Sequence, residues 1–235
     1  MSLADRMPPS AAEYEAYKSR FSNWGRWGAD DELGTLNFIT PGVRRAAAEL
    51  VREGRTVSLA RPLATEEVLR APRNSQPVVH ALQVDGMGSS DSIAIASVHG
   101  FADTHIDALC HIFTGDGRMW NGRPASDVRP DGAGSNGIDR WADGIVTRGV
   151  LYDVPRHREV PYVTLDEPVH GWELADIAAA HGVTPAQGDA VLVRAGAEAF
   201  WGANPDFAEP WSAPGPHASV LEFLYETEAY AGRLG

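Results

Sequence analysis

One cysteine, Cys110, stands among 235 residues. A lone thiol closes no disulfide within the chain and fits a reducing compartment. Basic residues are few: 20 Lys and Arg against 32 Asp and Glu, a formal net charge of -12. Binding a phosphate backbone or an anionic lipid surface calls for a basic face, so neither nucleic acid nor membrane is an expected partner. Long apolar runs are missing too, and no stretch approaches the roughly 20 residues of a membrane span. The N-terminal MSLADRMPPSAAEYEAYKSR has no apolar core of a signal peptide, which makes the cytoplasm the expected location. No GxxxxGK[ST], GxSxG or CxxC element occurs, which leaves P-loop, nucleophile-elbow and paired-thiolate chemistry without support. A small neutral or aromatic substrate remains.

Ordinary globular composition, 43 % hydrophobic and 22 % charged, goes with a chain long enough for one large core. Residues 1–22 read as an N-terminal arm with a short helix over Ala11 to Arg20, and residues 23–235 as one domain. Thr40 and Pro41 open a helix whose apolar stripe is Val43, Ala46, Ala47, Leu50 and Val51, with Gly54 as its stop. Strands are predicted at Thr56–Leu59, Val78–Val84, Ser92–Val98, Gly149–Val154 and Asp189–Arg194. Helices are predicted at Glu173–Ala180, stopped by Gly182, and from about His217 to Ala229. Glu66–Arg73 has no clear pattern. The run Arg156–Glu159 reads as a solvated turn and residues 196–216 as a loop. The sum is an α/β fold, a mixed sheet with covering helices.

The chemistry concentrates in His99-Gly-Phe-Ala-Asp-Thr-His-Ile-Asp-Ala-Leu-Cys-His111, which holds three of the chain's 8 histidines and two carboxylates. In an extended strand, His105 and Asp107 share a face, as do positions 99 and 103. Imidazole and carboxylate together suit Zn²⁺ or Mn²⁺. His105 and Asp107 are the leading ligands, with His99 and Asp103 able to complete the set. His111, four residues beyond Asp107, is placed to shuttle a proton or to bind metal. The other histidines, His80, His157, His170, His181 and His217, read as structural or solvated. Trp24, Trp27 and Trp120 are candidate walls for an aromatic substrate or packing anchors for the Trp/Gly-rich loop at 23–37.

The segment Thr104-His-Ile-Asp-Ala-Leu-Cys-His111 resembles the signature of the metal-dependent cyclase family, which includes bacterial kynurenine formamidase, an enzyme of tryptophan catabolism, and isatin hydrolase. Gly117–Gly122, Trp27–Asn37, Gly188–Gly196 and Pro214–Ala218 resemble the family's long-form members as well. The resemblance implies a swivelling β/β/α fold, a homodimer or homotetramer, and one or two Zn²⁺ or Mn²⁺ ions. It implies hydrolysis of amide or lactam bonds in small, often aromatic molecules. Carried over by position, His105 and Asp107 bind metal and His111 does acid–base work. Where the family has a histidine four residues before His105, this chain has Phe101, for which His99 or Asp103 would substitute. Family members also continue past the last helix with a strand and a region that supplies a further histidine and a glutamate. No residue here aligns with those, so a C-terminally incomplete sheet is expected. The missing ligands would come from a partner subunit or a local substitute such as Glu198. Otherwise the chain is a metal-free homologue that binds a small molecule.

Overall fold

The computed structural model describes residues 6–61, 79–84, 86, 88–94, 98–99, 103–207, 209 and 212–234, with 79–81, 91, 93 and 230–234 as backbone only. Helix α1 (Ala11–Arg20) forms where predicted. Ser10 Oγ accepts the Glu13 N–H, and the Glu13 carboxylate accepts the Ser10 N–H at 2.8 Å, a reciprocal cap. The arm lies against the body. Arg20 pairs with the buried Glu222 at 2.7 Å, Arg6 pairs with Asp176 at 2.5 Å, and Phe21 bridges Tyr17 and Tyr225 ring to ring.

Helix α2 (Pro41–Glu49) starts as expected, with Thr40 Oγ1 accepting the Val43 N–H. It stops sooner than its periodicity predicts. Leu50 is the C-cap, Gly54 lies beyond it, and Leu50 and Val51 are exposed. The strand expected at Thr56–Leu59 does not form. Those residues are exposed and irregular, and no described strand lies alongside to take their backbone hydrogen bonds. The uncertain Glu66–Arg73 lies outside the described residues.

Strands β1 (Val79–Val84) and β2 (Ser89–Ala94) form an antiparallel hairpin, Val84 opposite Ser89. Its second strand begins before the predicted Ser92, and residues 95–97 are not among those described. A small hairpin of β3 (Val128–Arg129) and β4 (Gly132–Ala133) follows. The rest of the chain reads β5 (Gly149–Asp153), α3 (Val154–Arg158), α4 (Gly171–His181), β6 (Ala190–Arg194), α5 (Ala197–Ala203), α6 (Val220–Thr227) and β7 (Tyr230–Leu234). β6 lies between β5 and β7 and is parallel to both. Parallel neighbours need crossovers, which the segments carrying α4 and α6 supply. The structure is thus a set of small parallel and antiparallel sheets with flanking helices.

Three expectations are corrected. The C-terminal residues 230–234, given no element from the sequence, form a strand paired along its length with β6. The loop at 196–216 contains α5, whose Phe200 and Trp201 anchor a second apolar cluster with Tyr162 and Phe207. In the Arg156–Glu159 run, Arg156, His157 and Glu159 are exposed as expected, but Arg156–Arg158 are helical and Arg158 is partly buried. Arg158 ends α3 and grips Glu173 of α4 through Nε at 2.6 Å and a second nitrogen at 2.8 Å, and it donates to the carbonyls of Glu167 and Pro168.

The main core sits between sheet and helices. Val150 and Tyr152 of β5 and Val191 and Val193 of β6 bury alternate side chains against Leu174 and Ile177 of α4 and Val220 and Phe223 of α6. Full burial of such a side chain is worth roughly 1.5–3 kcal/mol. Burial pushes the Tyr152 phenol up to about 12, and its hydroxyl has no hydrogen-bond partner among the described residues.

His170, the N-cap of α4, is half-buried. Its ring lies flat on Trp172 at 4.0 Å, faces His217 at 4.7 Å, and its Nδ1 meets Ser219 Oγ at 3.0 Å. Burial first, then the His217 imidazole, holds its pKa below the usual histidine value. A base with a depressed folded-state pKa contributes stability that is intact above its unfolded value and lost as pH falls through the folded one. The melting temperature should therefore decline below about pH 6.5, and His170→Gln should flatten that decline. An unchanged pH profile in the variant would assign the acid sensitivity elsewhere.

Candidate metal centre

β2 leads towards the histidine run, but the described part of the run is not strand. Residues 104–108 are irregular and a turn follows at Leu109–Cys110, closed by the His111 N–H on the Ala108 carbonyl at 3.0 Å. The turn brings His111 back beside Asp107, which continued extension would not do.

Asp107 is the centre of the arrangement. Its Oδ1 lies 2.9 Å from His99 Nδ1 and 3.5 Å from His105 Nε2, and its Oδ2 lies 3.9 Å from His111 Nε2. His99 and His111 stack at 4.1 Å between centroids with 17° between planes, and His105 stands edge-on to His99 at 5.5 Å. One donor atom each from His99, Asp107 and His111 falls within 4.8 Å of the other two. His105 reaches Asp107 without belonging to that closest group. Its Nδ1 lies 2.7 Å from the Asp103 carbonyl, which can only accept, so Nδ1 donates there and Nε2 is the nitrogen turned to Asp107. A second nitrogen tied to a carbonyl is the usual outer support of a metal-binding histidine.

Asp103 is buried, and its Oδ2 has no hydrogen-bond partner among the described residues. A carboxylate oxygen removed from water without a donor is costly unless a cation compensates it. This orphaned oxygen and the imidazole–carboxylate donor set fit a divalent ion. Phe101 lies outside the described residues, as does the side chain of His80. Glu198, weighed as a substitute ligand, pairs instead with Arg61 at 2.9 Å and is largely exposed.

The three tryptophans have packing partners. Trp120 donates its indole N–H to Asp31 Oδ2 at 3.0 Å, Trp27 packs between Trp120 and Phe38, and Trp24 lies over Gly122. Gly34, at φ +59°, brings the 30–37 loop against Leu109 and Trp120, where a Cβ would stand 3.2 Å from Leu109 Cδ1. The loop is thereby packed onto the histidine run. Two residues here were not singled out from the sequence, Glu32 and Asn136. The Glu32 carboxylate accepts the Asn136 N–H at 3.2 Å, and the Asn136 carbonyl accepts the Cys110 N–H at 3.1 Å. The Asn-Gly pair at 136–137 was the available signal for a left-handed residue.

The sequence model of the cyclase family, described as "Putative cyclase", matches residues 57–232. This chain belongs to the cyclase family. A crystal structure described as that of a novel cyclase superposes with a TM-score of 0.78 at 23 % sequence identity, over 92 % of this chain and 76 % of the other. At that identity the likeness concerns the fold. No curated protein matches. The matched region of this cyclase contains the entire His99–His111 run. Among the described residues no helix is long and apolar enough to cross a membrane.

Proposed function

We propose that this cyclase is a metal-dependent hydrolase of an amide or lactam C–N bond in a small, aromatic substrate, of the arylformamidase kind. The observation that carries the reading is the gathering of three imidazoles on the Asp107 carboxylate. Asp107, His105, His99 and Asp103 would hold one or two Zn²⁺ or Mn²⁺ ions, the two carboxylates offsetting the charge. Such an ion polarises a carbonyl and lowers the pKa of water to near neutrality.

The chain's own groups do the rest. Asp103, through its carbonyl, orients His105. His111, partly exposed at the edge of the group, takes a proton from the attacking water and gives it to the departing nitrogen. Ile106, Ile112 and Phe113 expose apolar surface next to these ligands, a surface suited to an aromatic ring. Trp24, Trp27 and Trp120 back the loop packed behind the run and extend that wall. The working form is a homodimer or homotetramer in the cytoplasm.

A second reading makes His111 a ligand, favoured by its place with His99 and Asp107 in the closest group. His111→Ala separates the two. On the proposed roles it keeps its metal and loses about 10²–10⁴ of turnover, whereas falling metal content would make His111 a ligand. Metal analysis after chelator-free purification, with N-formylkynurenine, isatin and simple lactones as an assay panel, tests the function itself. Less than about half an equivalent of metal per chain, where a catalytic ion should have some three protein ligands, would favour a metal-free binding protein.

A further inference from the structure

Asn136 is buried and non-glycine, yet it has φ +58°. Side chains other than glycine's occupy the left-handed region at a cost, and such residues persist where their surroundings over-determine them. Here the surroundings are explicit. The Asn136 N–H is held by Glu32 Oε1, its side-chain Nδ2 donates to the Trp120 carbonyl at 3.0 Å, and its own carbonyl receives the Cys110 N–H. Glu32 is fixed in turn by Arg140, whose Nε lies 2.5 Å from Oε2. Three segments distant in sequence, around residues 32, 120 and 110, therefore meet at one backbone unit. Cys110 immediately precedes His111, and the Leu109–Cys110 turn returns His111 to Asp107.

We infer that Asn136 is a positioning residue: the Glu32–Asn136 pair fixes the Leu109–His111 turn and so sets where His111 stands beside Asp107. The left-handed backbone is the working part, because it aims the carbonyl at Cys110 while the N–H faces Glu32. The consequence for catalysis rests on the metal-hydrolase reading; the clamp itself does not.

Cys110 is the chain's one thiol, so its reaction with an aromatic disulfide reagent reports on this turn alone. The experiment uses the full chain, without metal and then with Co²⁺. Asn136→Ala, strained at this φ, should raise the thiol rate about tenfold through easier local opening. Asn136→Gly loses the side chain but keeps the backbone conformation without strain, so it should stay within about threefold of the parent. A side-chain role would make glycine at least as damaging as alanine, and that result overturns the inference. Glu32→Gln keeps shape but replaces a charge-assisted acceptor. It should speed the thiol several-fold, and it decides the matter if Asn136→Ala does not fold; a parental rate there overturns the clamp. Co²⁺ absorption is read separately. A parent that binds no Co²⁺ sinks the metal reading, while the thiol rates still judge the clamp.

Discussion

Asp107→Asn should leave the purified protein without bound metal and reduce any turnover by at least about a thousandfold. His99, His105 and His111 each approach this carboxylate, and Asp107 is the group through which all three are joined. Loss of a mere outer support of a metal ligand costs about 10- to 100-fold, and removal of the shared anionic ligand must exceed that. The substitution keeps volume and shape and removes charge. Because the side chain is 41 % exposed, the change in folding stability should remain within about 1 kcal/mol. A melting curve and a metal analysis on one preparation therefore separate loss of the site from loss of the fold. Full metal content in Asp107→Asn would move the ion away from this carboxylate and dismantle the proposed centre.

The largest effect on stability is expected at Arg158. Arg158→Ala leaves Glu173, whose side chain is 13 % exposed, without its counter-charge, and deprives two carbonyls of their donor. Breaking one side of a mostly buried pair costs about 3–5 kcal/mol. Partial exposure of Arg158 places the expectation at the lower end, about 3 kcal/mol. For a chain of this size that is a fall of roughly 6–12 °C in melting temperature. Arg158→Lys should recover only part, since an ammonium cannot reproduce the two-pronged contact. The double variant Arg158→Met/Glu173→Leu should lie nearer the parent than Arg158→Ala, because no stranded charge remains. A melting temperature for Arg158→Ala within about 1 °C of the parent would show the pair to behave like a surface one, which is worth little.

Arg158 also shows where reading the chain as a sequence falls short. Arg156-His-Arg-Glu159 is polar throughout, and polarity predicts solvent. What it cannot convey is that α4, thirteen residues later, offers Glu173 at the distance a guanidinium spans. Local signals served well where local physics decides. The Thr40 cap, the Gly182 stop and the short apolar runs of β5 and β6 are written in neighbouring residues, and those elements form within a few residues of their predicted bounds. Thr56–Leu59 has strand composition but no neighbouring edge among the described residues, and 230–234 has weak strand composition but β6 beside it. Pairing decided both. The histidine run was legible as a chemical set because spacing and residue type sufficed. Its arrangement was not, because the turn at Leu109–Cys110 depends on Asn136 and Glu32, residues brought there by the fold.

The docking of α1 has a further consequence, in the motions of the protein. Tyr17 is the one buried side chain of that helix, and ion pairs from Arg6 and Arg20 to α4 and α6 supply much of the remaining hold. A segment attached by few apolar contacts and several charges opens more readily than the sheet beneath it. Its opening also responds to ionic strength, because added salt screens partly exposed charges. The arm is thus an ionic latch, looser at high ionic strength, and each release leaves Glu222 on α6 without the guanidinium of Arg20.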